Sequence, residues 1–574
     1  MTFAHSLLVL AICWVSWLTS ATEATLRSYN NPIIPGFAPD PSCIRVGPEY
    51  YCVTSSFSAF PGVPVYASKD LVSWRQIGNV FSRPEQLPAF GSVNSSTSGI
   101  WAATIRHTNG TFYVTTTLVF DGAPFDDPSR WKNVLFTTDD IYAQNGNGWS
   151  DPIFFDFPGY DTSLFWDDDG KVYVQGSHAW RVFPAIQQYE IDIKTGASLS
   201  GDPVTLWTGT GGLAKGPHIY KKDGFYHLLI AEGGTGVGHM VTMARAMNVN
   251  GPYEPYTQNP VFTSANTTDY LQTVGHADLF QDTNGNWWSV ALATRNATVN
   301  YPMGRETIMV PATWPKGEYP IFNSQLPGRV QLDMKGPLPA SQPPPRTTPG
   351  DILVGQNEHL TFSKGSSLPR QFVYYRYPDF SAFKISPPGH PNALQIMGSA
   401  ENITGPTAAA GTSTFITRRQ DHVEFVAEVT LDFKPKVDGE EAGMTLFIQR
   451  RQHFDLGVVA LSGGQRFIRL RTITASSTNE GQTDPISRPN IIPLGANLNP
   501  LRLQVNAVNA STYLFSYSED EGKTWHLVGS GAASQVSGGF TGTLVGMFAT
   551  GNGKNSTTPA YFCDFEYTVD PLIY

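Results

Sequence analysis

Five turn-and-strand units recur along the first 300 residues, and their even spacing restricts the possible folds more than any other feature. They read VGPEYYCVTSS from Val46, NGTFYVTTT from Asn109, DGKVYVQGS from Asp169, DGFYHLLIA from Asp223 and NGNWWSVAL from Asn284. Asn-Gly and Asp-Gly between apolar strands mark tight hairpins, because these residues tolerate the positive φ such turns need. The turn glycines Gly47, Gly110, Gly170, Gly224 and Gly285 stand 63, 60, 54 and 61 residues apart. A strand-only repeat of this length is the size of a propeller blade, so the expected fold is all-β, beginning with a five-bladed β-propeller. A sandwich with evenly spaced hairpins is the competing reading.

The first strand of each propeller blade lines the central axis. Nine residues before the last four turn glycines stand Trp101, Asp161, Lys215 and His276, and seven before the first stands Asp40. An aspartate ahead of a strand is ordinarily a turn residue. Polar groups recurring at one phase of otherwise apolar repeats point instead to a shared axial pocket. Two carboxylates facing across a pocket suit glycoside hydrolysis, one activating water and the other protonating the leaving oxygen. In inverting enzymes they stand roughly 6.5–9.5 Å apart. Trp101 adds a flat apolar face of the kind on which sugar rings stack.

With 574 residues the chain exceeds one ordinary core. After residue 334 its texture changes. Residues 335–350, KGPLPASQPPPRTTPG, carry six prolines and read as a stiff linker. From 351 to 574 the pattern is again strands and turns. HVEFVAEVTLDF alternates almost strictly, with Val423, Phe425, Ala427, Val429, Leu431 and Phe433 on one face. That region is expected to be a β-sandwich, leaving 25–334 for the propeller.

Residues 1–24 read as a secretory signal peptide, with an apolar Leu7–Leu18 stretch followed by small residues; a buried first strand is the alternative. Seven N-x-S/T sequons, at Asn94, Asn109, Asn266, Asn296, Asn402, Asn509 and Asn555, suit a secreted glycoprotein. Cys43 and Cys52 flank the first hairpin turn symmetrically, which places them opposite each other and within disulfide reach in an oxidising compartment; reduced, packed thiols are the alternative. A net charge of −10 argues against nucleic acid or an anionic membrane as partner. No later run is long and apolar enough to cross a bilayer. The subunit number is not encoded in these patterns.

The motifs NPIIPGFAPDPS, SSFSAFPGVPVYASKDLVSW, GIWAATIR, YDTSLFWDDDGKVYV, GPHIYKKDGFYHLLIAEGGTGVGHMVTMARA, GHADLF and GRETIMVPATW occur in this order. Together they resemble glycoside hydrolase family 43, nearest its β-xylosidase and α-L-arabinofuranosidase members with a C-terminal sandwich. The resemblance implies a general base at Asp40 and a carboxylate at Asp161 that tunes the acid's pKa. It implies substrate contacts at Phe57, Trp101 and Arg305, and an axial histidine at His276, in some members near a structural Ca²⁺; no cofactor is otherwise implied. The substrate would be a small pentoside or oligosaccharide. A family 32-type fructosidase, also a five-bladed propeller, is disfavoured because its motifs are absent.

The chain departs from that pattern at three places. Ala103 and Thr162 stand where proline is usual. Lys215 stands where the resembling family has its acid, a glutamate immediately before GPH. Losing a general acid lowers rate about 10²–10⁴-fold, so one reading is an impaired hydrolase. In a second, Glu232 substitutes, although an ion pair with Lys215 would lower its pKa. In a third, the scaffold binds sugars without cleavage or uses Lys215 in another reaction. A neutral variation at one codon is the plainest alternative.

Overall fold

The computed structural model describes residues 26–143, 148–295, 301–340, 345–346, 350–405, 412–474, 490–495 and 498–569. The expected signal peptide and Asn296 lie outside them.

Five antiparallel sheets follow one another around an axis. Their inner strands are Ser42–Val46, Gly99–Thr108, Gly159–Trp166, Lys215–Lys222 and Leu271–Gln281, and each runs outward through successive hairpins. These are blades 1 to 5. The turn residues behave as their types require. Asn109–Gly110 has φ of 51° and 84°, and Asp223–Gly224 has 51° and 83°. Both positions of each turn are left-handed, the geometry that matches strand twist. Cys43 and Cys52 are register partners on the first hairpin and form a disulfide, with Cα atoms 4.2 Å apart.

The ring is closed by the chain's own ends. Arg27–Asn30 pairs with Asp333–Gly336, and Ile34 bridges to Thr307 on blade 5. The first residues of the proline-rich stretch are therefore sheet. Past it, Ile352–Leu353 adds an outer strand to blade 1 before the chain enters the sandwich. Proline lacks an N–H, so the strand can resume only once the prolines end.

The C-terminal half forms two large sheets packed face to face. Phe425–Asp432 alternates buried and half-buried residues, as its pattern predicts. One of these sheets continues into the propeller, because Phe372–Tyr375 pairs with Ala59–Phe60, in the connection between Glu49–Val53 and Gly62–Ser68 of blade 1. The apolar cluster at that seam mixes Phe37, Phe57 and Ala59 with Val373, Phe415, Phe447, Leu544 and Phe548. Such a seam would expose apolar surface if either half were removed. A chain ending at Gly350 is accordingly expected to aggregate or to lose sugar affinity. A soluble monomer with unchanged pentose affinity by calorimetry would refute this.

Candidate active site

The inner strands begin at one end of the axis, and a cavity of about 210 Å³ opens there. Its lining includes Asp40, Phe57, Trp101, Asp161, Lys215, His276 and Arg305, so one pocket gathers all of these expected residues. The local backbone explains how. Inner strands carry β-bulges, between Trp101 and Thr104, Tyr160 and Ser163, Lys215 and His218, and twice between Gln272 and Asp278. An extra residue kinks the strand and re-aims the side chain there. Asp161 and His276 adopt φ of 54° and 52°, and Asp40, just ahead of blade 1, also has 54°. Non-glycine residues seldom adopt this conformation, and it concentrates at functional sites. In blade 4 the left-handed position falls on Gly216, φ 57°, where a Cβ would lie 2.9 Å from the His276 ring. Glycine there lets the imidazole reach the axis.

Asp40 is the most firmly held group. Arg305 donates to it through both terminal nitrogens, at 3.0 and 3.3 Å, and Ser55 Oγ donates at 2.6 Å. Burial alone would raise its pKa, but the Arg305 guanidinium, His276 and the Ser55 hydroxyl outweigh burial and hold the carboxyl below its ordinary value. Asp161 has no such clamp. Burial, with the Asp40 charge adding to it, raises its carboxyl to about 6 against the opposing effect of His276. His276 Nδ1 stands 3.6 Å from Asp40 and 4.0 Å from Asp161, so both carboxylates close on one ring nitrogen.

Lys215 is buried, and its Nζ donates to the Gly234 carbonyl at 2.6 Å. Burial, with the Arg305 charge behind it, lowers the ammonium to about 8. The expected pairing with Glu232 does not form. The bulge shifts the register so that Lys215 faces Ala231, and Glu232 faces Met240 on the next strand. Glu232 accepts from the amides of Thr210, Gly211 and Gly212 at 3.1, 2.7 and 2.9 Å, and from the Thr242 hydroxyl. It braces the loop leading to Lys215 and is absent from the cavity wall, so it is no substitute acid.

Several wall residues escape a count from the turns. Tyr160, Trp180, Leu213, Thr235 and His239 line the cavity from loops and neighbouring positions, and Phe540 reaches in from the sandwich. The Phe540 carbonyl accepts from Arg305 Nε at 3.1 Å, and its ring lies against those of Phe57 and Trp101, with centroids 6.0 and 6.1 Å away. Trp101 meets Tyr160 edge-on at 5.6 Å. The result is an aromatic well over a floor of charged groups.

Among the described residues no group of three His, Cys, Asp or Glu is placed to hold a metal. Nearby on the axis Arg106 already pairs with buried Asp278 at 2.9 Å and donates to His218 Nδ1 at 3.0 Å, while Ser42 donates to the same carboxylate at 2.6 Å. The Arg106 guanidinium neutralises the Asp278 carboxylate. The charged positions Arg106 and Asp278, inward-facing on apolar strands, were the sequence signal for this plug. Chelator should therefore leave melting temperature and any turnover unchanged; a melting-temperature drop with EDTA that calcium reverses would contradict it.

A five-bladed propeller with paired carboxylates beneath an aromatic well defines a carbohydrate-active protein. Comparison with known proteins is more specific. The profile of glycosyl hydrolases family 43 matches residues 29–320, and that of the beta xylosidase C-terminal concanavalin A-like domain matches 360–568. The chain is 33% identical to a non-reducing end alpha-L-arabinofuranosidase of Bacteroides ovatus, BoGH43B, over 96% of each. It is also 33% identical to a xylosidase/arabinosidase of Butyrivibrio fibrisolvens, over 94% of this chain and 98% of that one. Among solved structures, GH43B of the Bacteroides ovatus xyloglucan locus superposes with a TM-score of 0.81 at 32% identity, covering 95% of this chain and all of that one. BlXynB of Bacillus licheniformis gives 0.80 at 30%, with the same coverage. This protein belongs to glycoside hydrolase family 43, among its xylosidases and arabinofuranosidases.

Proposed function

We propose that the protein hydrolyses terminal β-xylosyl or α-L-arabinofuranosyl residues by inversion, with Lys215 altering the step that the resembling family assigns to its acid. The observation that carries this reading is the gathering of Asp40, Asp161, Arg305 and Trp101 in one cavity about the size of a single sugar. Asp40, held ionised by Arg305, is the base that takes a proton from the attacking water. Asp161, beside it on His276, orients the substrate and sets the local charge. The aromatic well excludes water from the sugar ring. A screen of nitrophenyl β-xylosides and α-L-arabinofuranosides tests the reading, and no turnover of either would overturn it. In that case a sugar-binding module or a repurposed enzyme takes its place, and pentose binding without turnover would mark the former.

We also infer secretion, on the signal-like residues 1–24 and the sequons. Asn94, Asn109, Asn266, Asn509 and Asn555 are exposed, while Asn402 is half-buried. The reading predicts a mature N-terminus near residue 25 and glycans at exposed sites. Mass spectrometry of protein from a eukaryotic host that finds residues 1–24 retained would reject it.

A further inference from the structure

The geometry points to a particular substrate class: a pentoside whose leaving group departs as a stabilised oxyanion, either an aromatic carboxylate or an acidic phenolate. The inference rests on the hydrolase reading and concerns the leaving side of the same pocket.

It begins with a buried charge that no carboxylate touches. The Lys215 side chain is buried in the cavity wall with Leu213, Gly234 and Thr235, two blades round the ring from Asp40. Of its three N–H donors, the Gly234 carbonyl takes one. Among the described residues no carboxylate lies within 4.0 Å of its Nζ, whereas Asp40 is closed by Arg305, and Glu232 is consumed by its own loop. The opposing charges of Asp161 and Asp40 act on it only at longer range, and an anion arriving or forming in contact with it relieves the cost of burial. In hydrolysis the anion that forms is the leaving oxygen.

The second observation is the rim. Leu213 is 38% exposed and held at φ 61°, an unusual conformation for leucine, two residues from Lys215. With Trp180 and Phe540 it makes the mouth apolar. An aromatic leaving group fits that mouth.

The chemistry balances without an acid. Water attacks the anomeric carbon and Asp40 takes one of its protons. The anomeric C–O bond breaks, and its electron pair stays on the departing oxygen. That oxygen leaves as carboxylate or phenolate against the Lys215 ammonium, and Asp40 returns its proton to solvent. A carboxylate of pKa near 4 needs no proton to leave; an alkoxide does. A positioned cation at a developing oxyanion is worth roughly 10²–10³ in rate.

The full-length protein should be assayed with 1-O-benzoyl-β-D-xylose, 4-nitrophenyl β-D-xyloside and xylobiose, and with their arabinofuranosyl counterparts. The expected result is kcat/KM for the first two at least about 10²-fold above that for the disaccharide, with ¹⁸O from labelled water found in the sugar. The ester outrunning the nitrophenyl glycoside assigns the carboxylate class; the reverse assigns the phenol. Activity should also fall as pH rises through about 8, where Lys215 loses its proton, and Lys215→Met should lower these rates and abolish that alkaline limb. Xylobiose cleaved as fast as the activated substrates, label in benzoate, or an unchanged alkaline limb in Lys215→Met would each overturn the inference while leaving the hydrolase reading intact. No turnover of any substrate would overturn both.

Discussion

Asp40→Asn is expected to fold normally and to lose at least about 10²-fold in kcat on any pentoside the protein cleaves. Asparagine keeps the shape, and its single amide oxygen can still accept from Ser55 and one Arg305 nitrogen, so part of the clamp survives. It cannot take a proton from water. Asp161, raised to about 6 by burial, lacks the contacts with Arg305 and Ser55 that fix Asp40 in place. The direction with pH follows. A carboxyl whose pKa is depressed stays ionised well below neutrality, so base function should persist into mild acid and fade only as pH falls through that depressed value. Circular dichroism and kcat measured together decide the case. A folded variant retaining most of the activity would assign the base elsewhere.

Lys215→Glu should act in the opposite direction. The new carboxyl would occupy the cation's buried place beside Asp161, where burial and a neighbouring negative charge raise a carboxyl's pKa toward that of a working acid. Turnover of xylobiose and arabinosyl oligosaccharides should rise about 10²–10⁴-fold, while nitrophenyl glycosides, which leave without protonation, should gain little. The selectivity of the gain is the informative part. An equal rise on both substrate types would mean that the substitution repaired packing or binding rather than proton delivery. No rise on oligosaccharides would mean that the acid's place lies elsewhere in the pocket.

Much of the architecture was legible because propeller hairpins are local. Each turn, such as Asn109–Gly110 or Asp223–Gly224, is dictated by residues that accept positive φ, and their even spacing translates directly into blades. The axial residues followed by counting, since Trp101, Asp161, Lys215 and His276 keep one phase relative to their turns. Counting failed at Glu232. The bulge between Lys215 and His218 inserts a residue that no local propensity announces, and one residue of register turns a side chain to the other face of the sheet. The carboxylate predicted beside the lysine therefore points into the 210–212 loop. The Arg106–Asp278 pair was hidden for a different reason. Arg106 and Asp278 lie 172 residues apart, and only closure of the ring makes them an ion pair.

What the sequence determined by itself, then, was whatever repeats or is decided within a hairpin: five blades, a following sandwich, the Cys43–Cys52 pairing, and the rank of polar residues along the axis. Only the tertiary structure decided which of those residues share a partner. It clamped Asp40 to Arg305, brought Phe540 from the sandwich over the well, and left the Lys215 ammonium with no carboxylate in contact. The first two outcomes depend on contacts between segments more than two hundred residues apart, where closeness in space is set by ring closure and domain packing, and local sequence carries no record of it.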